Sequence, residues 1–318
     1  MFEIAAVTVP FFALVLAGYV AAHTKVLPEA AIGGLNAFVL FFALPCMLFR
    51  FGAGTPFAQL VNPVLFAAWI ACALTIVALA LLHARAAGRN MADSSFGALV
   101  AAFPNTGFMG VPLLVGLLGP QAAGPAIVTI LVDLVLTSSL CIALAQVGGG
   151  KSLAQSFTAA LRGVAKNPMP WAIGLGVLFS AFGLHLPGPV DATVRLLGDA
   201  ASPVALFTIG AVLWRSRQNL ATRTPVSQWA DMVLLKLLVH PILVLTAGVL
   251  LINAGLTQDR FALTVMVLVA ALPSASNASL LTERFGADTG RVARIILWST
   301  VAAFFTFPAA AWLAGAGR

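Results

Sequence analysis

Charge is almost missing from this sequence. Its 318 residues carry ten acidic and seventeen basic side chains, so charged residues make up 8% of the chain, where soluble domains run at about 25%. So few charges cannot solvate a globule of this length, which excludes a soluble enzyme, a nucleic-acid-binding module and a disordered chain. Cysteine is scarce as well. Cys46, Cys72 and Cys141 all fall inside apolar runs, and an odd number so placed reads as small packing residues, with no disulfide framework and no metal cluster expected. The histidines His23, His83, His185 and His240 are scattered, and neither an H-E-x-x-H zinc motif nor a G-x-x-x-x-G-K-[ST] nucleotide loop occurs. Those absences speak against an intramembrane metalloprotease and against a pump that carries its own ATPase. No cofactor is expected.

What is abundant is apolar sequence: hydrophobic residues make up 61% of the chain and mean hydropathy is +1.02. Crossing about 30 Å of hydrocarbon takes roughly 20 apolar residues in a helix. Ten stretches qualify, at 3–22, 31–52, 62–83, 94–118, 121–146, 168–184, 191–214, 228–252, 259–283 and 290–314. Strand-like alternation is missing, so an outer-membrane barrel is not expected. The opening Met1-Phe2-Glu3-Ile4 has no basic region, so the first stretch reads as a span and not a signal peptide. The expected fold is an all-α polytopic membrane protein embedded in a lipid bilayer.

Lysine and arginine set the orientation. With the N-terminus outside, the cytoplasmic loops hold Lys25, Arg85, Arg89, Lys151, Arg162, Lys166, Arg215, Arg217, Arg223, Arg284, Arg291 and Arg294, twelve of the seventeen bases. The other side holds only Arg50, Arg195, Arg260 and Arg318. The positive-inside rule then predicts an inner (plasma) membrane protein with both termini extracytoplasmic. No nucleic-acid partner follows from the net charge of +7, because the bases belong to one membrane face. Residues 147–167 form a short cytoplasmic linker between two five-span halves, 1–146 and 168–318. It opens with Gly148-Gly149-Gly150, and Leu153, Phe157, Leu161 and Val164 recur in it at helical spacing. The linker reads either as a helix on the inner surface or as a solvated connector.

The halves resemble each other. Gly18, Leu27-Pro28 and Leu44-Pro45 in the first are matched by Gly176, Leu186-Pro187 and Ser202-Pro203 in the second. An odd number of spans per half inverts one repeat relative to the other, the arrangement of secondary transporters. The fourth span contains Phe103-Pro104-Asn105-Thr106 and the ninth Leu272-Pro273-Ser274-Ala275-Ser276-Asn277. Proline removes a backbone donor and clashes with the carbonyl four residues back, so each span is expected to break near mid-bilayer. Asn105, Thr106, Ser274, Ser276 and Asn277 are residue types that cap a new helix start. Two half-helices starting at the midplane would aim amides and positive dipole ends at one point, which suits a carboxylate. Pro104, Asn105, Thr106, Pro273, Ser274, Ser276 and Asn277 are therefore the candidate substrate-binding residues. The alternative is a proline kink repaired locally by polar neighbours.

Three ionisable residues lie well inside spans and are the candidate coupling residues. Asp133, about halfway along the fifth, reads as a coupling site for a proton or a sodium ion, or else as an acceptor for a neighbouring helix. His240, just before Pro241, is a proton carrier or a packing histidine bonded to freed backbone. Lys236 snorkels to the interface or supplies positive charge to an anion. Arg195 and Asp199, four residues apart, are expected to pair with each other as a structural ion pair or an outer gate. Arg50, Glu283 and Arg284 read as solvated helix ends.

The chain also resembles the auxin efflux carrier family, which groups plant carriers with bacterial malonate and other organic-acid transporters. The resemblance is carried by Phe42-Ala43-Leu44-Pro45, the run Pro104–Pro112, Lys166-Asn167-Pro168, the run Pro203–Gly210, Lys236 with Pro241, and Pro273-Ser274-Ala275-Ser276-Asn277. It implies ten helices in two inverted repeats, with fourth and ninth helices crossing at Pro104 and Pro273. It further implies a scaffold that forms a homodimer and a transport bundle that moves like an elevator. The expected function is secondary active transport, by symport, of a small organic anion such as malonate or another mono- or dicarboxylate. An auxin-like amphipathic-acid carrier and a drug or metabolite exporter are the alternatives. The spans are too apolar for a channel, which needs a polar lining or a charged ring.

Overall fold

The computed structural model describes residues 2–60, 62–147, 152–218, 225–278, 281–282 and 285–316. Among them every regular element is helical and there is no strand. Gly148 to Lys151, Arg223, Glu283, Arg284 and Arg318 lie outside the described residues. The helices are α1 (Phe2–His23), α2 (Glu29–Gly54), α3 (Pro63–Ala86), α4 (Met91–Ala102), α5 (Thr106–Leu118), α6 (Pro120–Val147) and α7 (Leu153–Ala165). Then come α8 (Pro168–Phe182), α9 (Gly188–Gln218), α10 (Ala230–Asn253), α11 (Arg260–Ala270) and α12 (Thr289–Leu313). Seven of these, α1, α2, α3, α6, α9, α10 and α12, contain stretches long and apolar enough to cross a membrane. The remaining three expected spans fall on shorter apolar helices: α4 with α5, then α8, then α11.

Local chemistry explains where these helices begin. Asn62, Asn90, Asn167, Asp259 and Asp288 each accept a hydrogen bond from a first-turn amide, at 2.8–3.0 Å from Val64, Asp93, Met169, Ala262 and Arg291. Such caps satisfy donors that have no intrahelical partner, and Pro63 and Pro168 add the fixed φ that suits a first position. The linker contributes a helix, α7, capped by Ser152. It packs along α6 and buries Ser156 and Ala160 while Arg162 and Lys166 stay exposed.

Four turns are widened to π geometry: Val39–Ala43, Thr106–Gly110, Asp133–Thr137 and Leu235–Val239. Three of them sit immediately before Pro45, Pro112 and Pro241. A proline ring clashes with the carbonyl four residues earlier, and a wider turn moves that carbonyl aside without ending the helix. The fourth carries no proline and starts at Asp133.

The helices pack in two groups. α1 lies along α9 and α2 along α8, with α2 also against α9; α3, α4, α5, α6, α10, α11 and α12 form the other group. The first group closes on glycine. A Cβ on Gly18 would overlap the Phe207 carbonyl, and one on Gly210 the Val15 carbonyl; one on Gly176 would meet the Phe49 carbonyl at 2.6 Å, and one on Gly52 the Ile173 carbonyl at 3.4 Å. These are two copies of one contact. Gly18 to Gly176, Gly52 to Gly210, Val15 to Ile173 and Phe49 to Phe207 are each 158 residues apart. Small residues let helix backbones approach closely in a membrane, where no hydrophobic drive distinguishes helix from lipid.

One expected ion pair is replaced. Asp199 is bonded to Arg50 at 2.6 Å, and Arg50 also donates to the Arg195 carbonyl at 3.4 Å. Arg50 is therefore no freely solvated helix end. It joins α2 to α9 across 149 residues of sequence, a contact that i,i+4 spacing could not reveal.

Candidate functional site

The two proline breaks meet. After Ala102 the chain turns extended through Phe103, Pro104 and Asn105, and a second short extended segment at Pro273–Ala275 runs antiparallel to it. The Asn105 amide donates to the Pro273 carbonyl at 2.8 Å and the Ala275 amide to the Phe103 carbonyl at 2.9 Å. Four backbone groups freed by the breaks thus satisfy one another. This matters at membrane depth, where interrupted backbone survives only when protein or a watery cavity receives it.

The helix ends facing the breaks are capped by side chains from elsewhere. The Ser274 hydroxyl donates to the Val100 carbonyl at 2.6 Å, in the last turn of α4, and the Ser274 amide donates to Ser299 Oγ at 3.2 Å. Lys236 Nζ donates to the Ala270 carbonyl at 2.7 Å, at the end of α11. Lys236 is fully buried, so the snorkelling reading is overturned. The widened turn of α10 aims its side chain inward, and the carboxy-terminal carbonyls of α11 present the partial negative charge an ammonium seeks.

The remaining candidates are less committed. Asn105 occupies the position before α5 and is buried, yet its side chain makes no capping bond. Thr106 Oγ1 and Asn277 Oδ1 are buried without a partner. Buried polar atoms are almost always bonded, so such orphans ask for an explanation. Pro104, Asn105, Ala275 and Asn277 border one small cavity of about 20 Å³. Ser276 and Asn277 border a second, of about 90 Å³, opposite Asn36, Thr208 and Arg215 of the first helix group. Thr106 borders neither. A third cavity, of about 330 Å³, lies toward the opposite ends of α2 and α9, between Met47, Arg50, Phe51, Asp199 and Pro112.

Behind α11 lies a buried polar cluster. Asp133 Oδ1 accepts from Trp69 Nε1 at 3.1 Å and from Thr137 Oγ1 at 3.0 Å, while Oδ2 has no partner. Lys236 Nζ lies 3.3 Å from His240 Nδ1, and the His240 ring packs 5.3 Å from that of Trp69. An ammonium offers only donors, so Nδ1 is the acceptor and the imidazole proton sits on Nε2, which is buried and unpartnered. His240 thus makes no bond to freed backbone. Asp133, Trp69, Lys236 and His240 are all completely buried. Asp133 and Lys236 share this cluster with no direct ion pair between them among the described residues. The sequence reading grouped Asp133, Lys236 and His240 as coupling candidates. It missed Trp69, whose mid-span indole was the available signal, since such N–H groups favour the membrane interface unless bonded. It also missed Arg215, which the loop tally had absorbed as an orientation residue.

Comparison with known proteins gives this geometry a context. The family model described as "Membrane transport protein" matches residues 4–311. A Rhizobium meliloti protein named "Putative malonate transporter" is 27% identical over 320 residues, covering 100% of this chain and 98% of its own. An uncharacterized transporter of Methanothermobacter thermautotrophicus is 28% identical, with 93% of both chains covered. The uncharacterized transporter YfdV of Escherichia coli K12 is 27% identical, with 88% of both covered.

Proposed function

Since the chain belongs to the membrane transport protein family, the auxin efflux carriers and their bacterial relatives, we propose that it is a secondary active carrier of a small organic anion. The observation that carries this reading is the meeting of the two broken spans, which brings Asn105 and Asn277 to one cavity, the Asn105 side chain making no capping bond. A carboxylate between them gains the amides of both asparagines and the positive end of α5. Malonate is the first substrate to try, by analogy with the name of the Rhizobium relative.

The coupling event falls on Asp133, whose second oxygen has a vacant acceptor in a site that also holds Lys236 and His240. A proton or a sodium ion arriving there changes the charge beside the broken end of α11. The 158-residue repeat of the glycine contacts supports two inverted five-span repeats, and the two packing groups support a fixed scaffold with a moving bundle of elevator type. Homodimerisation and a plasma-membrane setting with both termini outside follow from the family resemblance and the charge bias. A second reading, an amphipathic acid such as an auxin-like aromatic carboxylate, is favoured by the apolar wall of Val39, Phe108 and Ile209.

Thermal stabilisation of the purified protein by mono- and dicarboxylates, with and without sodium and across pH, tests the reading. Saturable stabilisation that disappears in both Asn105→Ala and Asn277→Ala, with the unliganded variants still folded, is the expected result. No shift with any carboxylate, or undiminished affinity in both variants, removes the anion site.

A further inference from the structure

The cavities of about 90 and 330 Å³ are related in the same way as the glycine contacts. Ala205, Thr208 and Ile209 line the first, and Met47, Arg50 and Phe51 line the second. Each residue of one set lies 158 positions from its counterpart in the other. The two cavities are therefore corresponding places at opposite ends of one helix group, each walled on its other side by the bundle that carries the breaks, through Ser276 and Asn277 or through Pro112.

Each cavity is also lined by one arginine. Arg215, in the last turns of α9, lines the first beside Asn36 and Asn277. Arg50, near the end of α2, lines the second and is bonded there to Asp199. Arg215 has no acidic partner among the described residues. The arginines are not repeats of each other, since Arg50 corresponds to Thr208, so the two cavities carry their cations at different positions of the repeat.

We propose that Arg215 and Arg50 are alternate charge partners of the transported anion, one at each face, and that together they select dicarboxylates. The inference rests on the carrier reading above. A substrate held by one carboxylate at the breaks projects its second carboxylate toward Arg215, where a planar guanidinium matches it with two parallel bonds. When the bundle faces the other side, the second carboxylate meets Arg50 and displaces Asp199. That exchange swaps one charge-assisted bond for another of the same kind, so it costs little, and between turnovers Asp199 keeps the vacant arginine neutralised. A monocarboxylate has nothing to offer either arginine.

The test is sided transport in oriented proteoliposomes, with radiolabelled malonate and propionate as probes, on the wild type, Arg215→Gln, Arg215→Lys, Arg50→Gln and Asp199→Asn. Arg215→Gln is expected to raise KM for malonate about ten-fold or more from the Arg215 face, with less than a two-fold change from the other face. Arg50→Gln should give the mirror image. Arg215→Lys should fall between wild type and the glutamine variant, and Asp199→Asn should lower KM from the Arg50 face. Propionate transport, where present, should be insensitive to all four. Equal rises from both faces, equal effects on malonate and propionate, or unchanged KM in variants that still transport would overturn the assignment of the arginines alone. A wild type that carries and binds no carboxylate instead refutes the carrier reading itself, and does so before any variant is examined.

Discussion

Replacing Lys236 by methionine tests the idea that a buried ammonium holds the broken ninth span together. Methionine keeps most of the stem volume and removes the charge. The Ala270 carbonyl, bonded at 2.7 Å, loses its donor in a place that water does not reach, at a cost of about 1–3 kcal/mol. Asp133 also loses a positive charge from its buried cluster, but no direct ion pair joins the two, so the lost carbonyl bond sets the scale and about 1–3 kcal/mol is the total expected. Unfolding entropy of about 2.1 cal/mol/K per residue over a chain of this length converts that to a fall in Tm of roughly 2–4 °C. The assay is thermal unfolding in detergent, run on Lys236→Met, Asp133→Asn and the double variant. The double variant should be more stable than the sum of the single losses, by about 1 kcal/mol or more, since neutralising both charges leaves no orphan. Additivity within about 0.5 kcal/mol would refute Coulombic communication between the two, and an unchanged Tm in Lys236→Met would refute the capping role.

Other expectations follow from separate parts of the structure. Gly18→Ala and Gly176→Ala each drive a Cβ into a neighbouring backbone carbonyl, whereas a Cβ on Gly34 meets nothing within 4 Å. The first two should lose about 1–3 kcal/mol in thermal unfolding and Gly34→Ala should not; equal stability of all three would deny the close approach. Asp133→Asn should leave anion binding intact while abolishing the dependence of uptake on the driving gradient. A full pH or sodium dependence in that variant would return Asp133 to a structural role. In a background lacking Cys46, Cys72 and Cys141, a cysteine at Lys25 should react with an impermeant reagent only from the cytoplasm and one at Gln258 only from outside. The reverse pattern would invert the topology.

The fold was legible where the physics is local. Apolar length located the seven helices long enough to cross a membrane, and the prolines at 104 and 273 marked the breaks, because a missing amide acts on its own helix whatever lies around it. Pairings that depend on distant chain were not legible. Asp199 has Arg195 one turn away, yet it takes Arg50, because an arginine at the end of α2 reaches it once α2 packs on α9. Lys236 looked free to snorkel, since its distance from the span's end can be counted in sequence but the direction of its side chain cannot. That direction was set by the widened turn before Pro241.

Ser274 and Lys236 together show why the breaks are tolerated as a pair. Ser274 lies in the second break and caps α4, which ends at the first; Lys236 on α10 caps α11, which ends at the second. The two-bond antiparallel contact between Phe103–Asn105 and Pro273–Ala275 joins the same two places. A single broken span would need its own supply of donors and acceptors at mid-membrane, and local polar residues would have to provide all of them. Two broken spans brought together supply most of that need to each other, so the Asn105 side chain is not spent on capping. Asn105 and Asn277 border one cavity, and polar side chains that the breaks do not consume are what the proposed binding role requires.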